Sequence, residues 1–128
     1  MLRVGHGGGR LLPRTRDVAW CLSLSRRAAH TALLEVLQET LLRGPGQASP
    51  VVRAAAAAGT GEAALGAYAQ QIEVAAYKVS PEQVRALQEA HADDVLFEVT
   101  ICAAFGAAKR RHDAGLAALD AGWKDEAP

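Results

Sequence analysis

The sequence predicts an all-α protein, a compact bundle of helices formed by one domain. Half of its 128 residues are hydrophobic and only 5% are aromatic. The apolar residues are mostly Ala, Leu and Val, and Arg, Gln and Glu are frequent among the polar ones, a composition typical of helices. No stretch shows the two-residue period and the β-branched and aromatic clusters of a strand. A chain of this length suffices for one hydrophobic core.

The charge pattern excludes several classes of function. Fourteen basic and fourteen acidic residues give a net charge of zero, whereas nucleic-acid binders carry a basic excess or a basic face. The basic cluster at residues 109–111 is short and is followed by Asp113. No apolar run reaches the roughly 18 residues of a membrane span. We therefore expect neither a nucleic acid nor a membrane as partner.

The two cysteines, Cys21 and Cys102, predict a reducing environment. They form neither a Cys-x-x-Cys pair nor a zinc-ligand spacing, and apolar residues surround both. Buried, unreactive thiols in a cytoplasmic protein are therefore expected. The excess of Ala, and of Arg over Lys, indicates a GC-rich and hence bacterial genome.

The first half of the chain predicts a tail and two helices. Residues 1–16 are rich in Gly and Arg and predict a flexible tail. Helical periodicity begins near Asp17, and residues 26–42 carry an amphipathic stripe that ends before Gly44-Pro45-Gly46. Ser49 and Pro50 then supply an N-cap and a first helical residue. This second helix is expected to end at residues 59–61.

The second half predicts three further helices, so that residues 17–119 form the domain. A helix is expected over 62–78, where Tyr68 and Tyr77 fall on opposite sides. Residues 80–83 (SPEQ) form a capping box that begins a short helix ending near His91. Asp93 or Asp94 is predicted to cap a last, largely buried helix that ends near Leu119. Residues 120–128 are expected to form a tail.

Three stretches of the second half resemble a known family. They are residues 79–87 (VSPEQVRAL), residues 94–108 (DVLFEVTICAAFGAA), and Arg111 with Gly115-Leu116. Together they are similar to the alkylhydroperoxidase-D-like/carboxymuconolactone decarboxylase family, in which a short helix leads into a long Ala-rich one. The resemblance covers residues 62–119 and implies the family's helical fold and its assembly into trimers or hexamers.

The chain departs from this family where its peroxidase members carry their redox motif. Those members have Cys-x-x-Cys followed by His on the helix that corresponds to residues 62–78, which contain neither Cys nor His. Peroxide reduction needs an attacking and a resolving thiol. The resemblance therefore implies a non-redox member that forms oligomers and binds a small ligand or a partner protein.

The family's decarboxylase members suggest an alternative function. Their chemistry needs a proton donor and a cation that holds a carboxylate, which makes Glu98, His91 and Arg111 the candidate catalytic residues of a lyase or an oxidoreductase. His112 and Glu73 are further candidates. For Glu98 we favour an ion pair with a neighbouring helix or subunit, in which Arg110 or Arg111 could take part.

No cofactor is expected. No metal is expected either, because His30 and His112 both lack a ligand four residues further along the helix. A third possibility is a helical module that docks on a larger enzyme.

Overall fold

The structure is a computed structural model that describes residues 15–125, and the side chains of residues 26–124. It confirms the all-α fold, since the described range contains five α-helices, one short 3-10 turn and no strand. The helices are α1 Thr15–Arg43, α2 Pro50–Ala57, α3 Ala63–Ala75, α4 Pro81–Gln88 and α5 Asp93–Asp125, and the 3-10 turn is Ala76–Lys78. The tail predicted over 1–16 lies mostly outside the described residues, as does the side chain of Cys21.

Two helix starts use the capping residues that the sequence predicts. The Ser49 hydroxyl accepts a hydrogen bond from the Val52 amide at 3.3 Å, and the Ser80 hydroxyl accepts one from the Gln83 amide at 3.2 Å. The Ser80 half of the predicted capping box forms, and the Gln83 side-chain amide donates to Gln71 Oε1 at 2.9 Å. This side chain therefore ties α4 to α3.

Three of the predicted helices begin or end at other residues in the structure. The expected helix over 62–78 is interrupted after Ala75, where a 3-10 turn replaces its last residues. The helix α4 ends at Gln88, before His91. Helix α5 begins at Asp93, so both aspartates lie in its first turn rather than capping it, and it continues beyond Leu119 to Asp125.

The chain divides into two units, residues 1–37 and 38–128. The described part of the first unit belongs to α1 and carries part of the predicted amphipathic stripe. Three of its apolar side chains are exposed, with accessible fractions of 68% for Leu33, 65% for Val36 and 44% for Leu37. The first unit thus presents apolar residues on its surface.

The core of the second unit forms where α2 and α3 pack against α5. Helix α5 contributes Leu96, Val99, Cys102 and Ala103 to this core, in agreement with the expectation of a largely buried helix. Tyr68 of α3 is buried there, and its hydroxyl lies 2.8 Å from the hydroxyl of Thr100. Since Thr100 donates its own proton to the Leu96 carbonyl, Tyr68 is the donor in this pair.

Helices α2 and α5 approach closely at Gly106. A Cβ atom at this position would overlap the carbonyl oxygen of Ala57. Because this oxygen belongs to the backbone, no side-chain movement relieves the overlap. A residue without a side chain is therefore needed at this crossing.

We predict that Gly106→Ala destabilises the protein by about 1–3 kcal/mol, because the helices must move apart and the core loosens. Gly115→Ala is the matched control, since Gly115 lies on the same helix and a Cβ atom there has no neighbour within 4 Å. It should stabilise the protein by about 0.5–1 kcal/mol through helix propensity. Urea denaturation measures both, and equal effects would contradict the close approach.

Candidate functional site

Glu98 of α5 holds the loop that precedes α2. Its half-buried carboxylate accepts hydrogen bonds from the backbone amides of Gln47, at 2.7 Å to Oε1, and Ala48, at 2.9 Å to Oε2. These bonds, together with the nearby charge of Arg53, lower the pKa of Glu98, although burial acts in the opposite direction. Glu98 is therefore ionised at neutral pH and has both oxygens engaged. Its partners are backbone amides rather than Arg110 or Arg111.

Arg53 is a buried cation that the sequence analysis did not single out. Only 4% of the residue is exposed, and its guanidinium donates to the carbonyls of Leu41, at 2.9 Å, and Gly44, at 2.6 Å. Its Nε atom is buried without a hydrogen-bond partner. Arginine suits this place because the last carbonyls of a helix carry a partial negative charge. The sequence does contain a signal for a buried cation here, because Arg53 stands between the valines and alanines of the otherwise apolar helix α2.

Cys102 lies near Arg53 and Glu98. It is buried, as expected, and its thiol lies 3.7 Å from the Leu41 carbonyl, to which it donates. Burial raises the pKa of Cys102, the charge of Arg53 opposes this effect, and the charge of Glu98 adds to it. The thiol is therefore protonated at neutral pH, which does not favour nucleophilic chemistry.

Arg110 and Arg111 bind Glu73 rather than Glu98. Arg110 Nε lies 2.7 Å from Glu73 Oε1, and another nitrogen of the same guanidinium donates to the Ala57 carbonyl at 2.7 Å. Arg111 donates to the backbone carbonyl of Glu73. These contacts join the end of α2, α3 and α5, so both arginines connect helices.

His91 lies in the turn between α4 and α5, where its amide donates to the Leu87 carbonyl at 3.0 Å. The half-buried residue lines a groove of about 640 Å³ in the second unit, which we call the α2–α3 groove. Mostly apolar residues surround it, namely Val51, Val52, Ala55, Ala56, Thr60, Gly61, Glu62, Ala63, Ala64, Leu65, Ala90, His91 and Val99.

The three candidate catalytic residues thus contact different partners. Glu98 binds the loop before α2, Arg111 binds Glu73, and His91 borders the α2–α3 groove. Neither Glu98 nor Arg111 lines that groove. A decarboxylase would need an acid and a cation that converge on one substrate. These contacts do not bring Glu98 and Arg111 together in that way.

The loop between α2 and α3 gives the groove its shape. It contains Gly59 at φ 68° and Gly61 at φ 135°, and Ala63 follows at φ 47°. A positive φ at Ala63 costs about 1–2 kcal/mol because its Cβ approaches the backbone. Strained backbone is often found beside binding sites. From the sequence, this loop could be predicted only as the end of a helix. The groove could not be predicted, because its lining comes from several elements.

A second, smaller cavity of about 240 Å³ lies near Lys109 and Arg110. Lys109 pairs with Asp113 at 2.5 Å, and Arg110 pairs with Glu73. A hydrogen bond with Lys109 lowers the pKa of Asp113, and a hydrogen bond with His112 lowers it further. Because these cations already have acidic partners, this cavity is less suited to an anionic ligand than its basic residues suggest.

Within residues 15–125, no helix is both long and apolar enough to cross a membrane. Among residues 26–124, whose side chains are described, no group of three or more His, Cys, Asp or Glu is placed to hold a metal ion. No family model, curated protein or solved structure matches the chain.

We predict that Glu98 makes the stability of the protein sensitive to acid. Its folded-state pKa is lowered, whereas that of an unfolded glutamate is about 4.3. The ionised carboxylate therefore stabilises the fold above that value, and the stabilisation is lost as the pH falls through the folded-state pKa. Glu98→Gln should lower Tm at pH 7, and the difference from the parent protein should shrink below about pH 4.

Thermal unfolding followed by circular dichroism across this pH range measures the effect. Glu89→Gln, at an exposed position after α4, is the control and should leave Tm at pH 7 nearly unchanged. A Glu98→Gln variant that follows the parent protein at every pH would contradict the assignment.

Proposed function

We propose that this protein is a non-redox, helical ligand-binding protein whose ligand is a small, largely apolar molecule held in the α2–α3 groove. The observation that carries the proposal is the groove itself. Its volume of about 640 Å³ lies within the range of about 300–1,000 Å³ that is usual for small-molecule sites. Its walls are aliphatic, and a few polar groups at Thr60, Glu62 and His91 could orient a ligand.

The proposal includes membership of the alkylhydroperoxidase-D-like/carboxymuconolactone decarboxylase family, without its redox chemistry. This part rests on the sequence motifs at 79–87 and 94–108. The succession of the short helix α4 and the long helix α5 over these motifs supports it. The cysteine pattern and the composition further favour a cytoplasmic, bacterial protein.

Binding is favoured over the lyase or oxidoreductase alternative because of what Glu98 contacts. Its lowered pKa and its two backbone hydrogen bonds make it a poor proton donor at neutral pH. Arg111 is bound to Glu73, so neither residue is poised beside the groove.

Binding of the uncharged fluorescent probe N-phenyl-1-naphthylamine tests the proposal. An apolar probe of this size should bind with a Kd of about 0.2 mM or tighter, from about 0.3 kcal/mol for each non-hydrogen atom. Ala55→Phe places a ring in the groove and should weaken binding at least about tenfold, which corresponds to about 1.4 kcal/mol. Its neighbour Ala54 is exposed and does not line the groove, so Ala54→Phe is the matched control.

Amide chemical shifts in NMR spectra supply a readout that does not depend on a variant. Probe binding should move signals of residues 51–65, of His91 and of Val99. Shifts confined to other parts of the chain, or equal binding by the Ala55→Phe and Ala54→Phe variants, would contradict the proposed site.

We also propose that the protein forms a homo-oligomer, a trimer or hexamer by family resemblance. Large apolar side chains are exposed at several places, among them Leu33, Val74, Tyr77 and Phe97. Exposed apolar surface of this kind favours association. Light scattering after size-exclusion chromatography, at micromolar protein concentration, should give a mass of at least three chains, and a monomer would overturn the assembly without affecting the groove.

A further inference from the structure

The polar residues of the α2–α3 groove differ in character from those of a site for organic acids. Glu62 is the one carboxylate among its lining residues, His91 is the one imidazole, and neither lysine nor arginine contributes to the described lining. Glu62 is exposed at the start of α3, and its side chain makes no hydrogen bond to the helix end. Glu62 is therefore the one acidic side chain of this lining, with no lysine or arginine beside it there.

The cations of the second unit that lie near α2 are engaged elsewhere. Arg53 is buried and binds the carbonyls of Leu41 and Gly44. Arg110 binds Glu73 and the Ala57 carbonyl. A carboxylate or phosphate in the groove would therefore meet Glu62 without a lysine or arginine to compensate it.

The available hydrogen-bonding groups also favour a ligand that donates. The Thr60 hydroxyl gives its proton to the Ala55 carbonyl at 3.2 Å, so its oxygen is left as an acceptor. The carboxylate of Glu62 is an acceptor as well. Around them, Val51, Leu65 and Val99 offer aliphatic surface for a hydrocarbon or aryl body.

We propose that the ligand of this groove is an amphiphilic amine, with an apolar body against the aliphatic walls and an ammonium group at Glu62. This inference rests on the proposed ligand-binding function and specifies its chemical class. Attraction between the ammonium group and the carboxylate favours such a ligand, and the same carboxylate repels organic acids of equal size. Glu62 acts here as the residue that determines specificity.

Three probes with the same eight-carbon chain test the class of ligand, namely octylamine, octan-1-ol and octanoate at pH 7.4. Affinities come from NMR titrations of the amide signals of residues 51–65. Octylamine should bind most tightly and octanoate most weakly. The two should differ by about fivefold, which is the upper end of what an ion pair in contact with solvent contributes.

The Glu62→Gln variant separates charge from shape. It should bring the affinities for octylamine and octanoate to within about twofold of each other, because the attraction and the repulsion disappear together. Octan-1-ol is uncharged and should bind the variant as it binds the parent protein. Glu89→Gln removes an exposed carboxylate that does not line the groove and should preserve the preference.

The outcomes distinguish this inference from the proposed function. If octanoate binds the parent protein as tightly as octylamine, the class of ligand is wrong while the groove remains a binding site. If Glu62→Gln keeps the preference, the role of Glu62 is wrong. If none of the three probes moves the groove signals, the proposed function fails together with the inference.

Discussion

The close packing of α2 on α5 is the constraint on which the second unit depends. Gly106 lets the backbone of α5 approach the Ala57 carbonyl, and the neighbouring core positions on the two helices include Ala56, Ala57 and Ala103. Small residues bring the two helix axes together, but each buries little apolar surface. Among the fully buried side chains, the largest are only Val99 and Cys102. Larger side chains that are nearly as buried, namely Tyr68, Ile72, Leu87 and Leu96, complete the core around this close approach.

Charged side chains complement this small core by satisfying backbone groups. The guanidinium of Arg53 donates to the carbonyls of Leu41 and Gly44, and the carboxylate of Glu98 accepts from the amides of Gln47 and Ala48. Between them, these residues bind both kinds of backbone group along the segment from the end of α1 to the start of α2. The burial of the Arg53 charge is tolerated because hydrogen bonds replace part of its hydration. The same engagement explains why Glu98 is better understood as a structural residue than as an acid catalyst.

The groove is a consequence of the same architecture. The loop after α2 turns sharply through Gly59 and Gly61, and Ala63 begins α3 with a positive φ. The first turn of α3 thereby lines one side of a space that α2, Ala90, His91 and Val99 complete. Of the three candidate catalytic residues, His91 lines this space, whereas Glu98 and Arg111 do not reach it. Ligand binding there and the structural roles of the charged residues are compatible with each other.

Local signals in the sequence determined most of the secondary structure. The caps at Ser49 and Ser80 and the periodicity of the second half depend on residues within one or two turns, so they could be predicted from spacing alone. Two helix ends differ from the spacing-based prediction: a 3-10 turn replaces the predicted helix after Ala75, and α5 continues beyond Leu119. Such ends depend on contacts and fraying that spacing does not encode.

The sequence by itself thus determined the fold class, the absence of a redox cysteine pair on the helix before α4, and the buried position of Cys102. Only the tertiary structure decided which charges meet. The charge of Arg53 acts on Glu98 from 45 positions away without an ion pair, and Glu73 pairs with Arg110 across 37 positions. Their partners depend on how the helices cross. The groove likewise exists only where residues from α2, α3, α5 and the turn before α5 converge, because a concave surface is a property of packing rather than of any one segment.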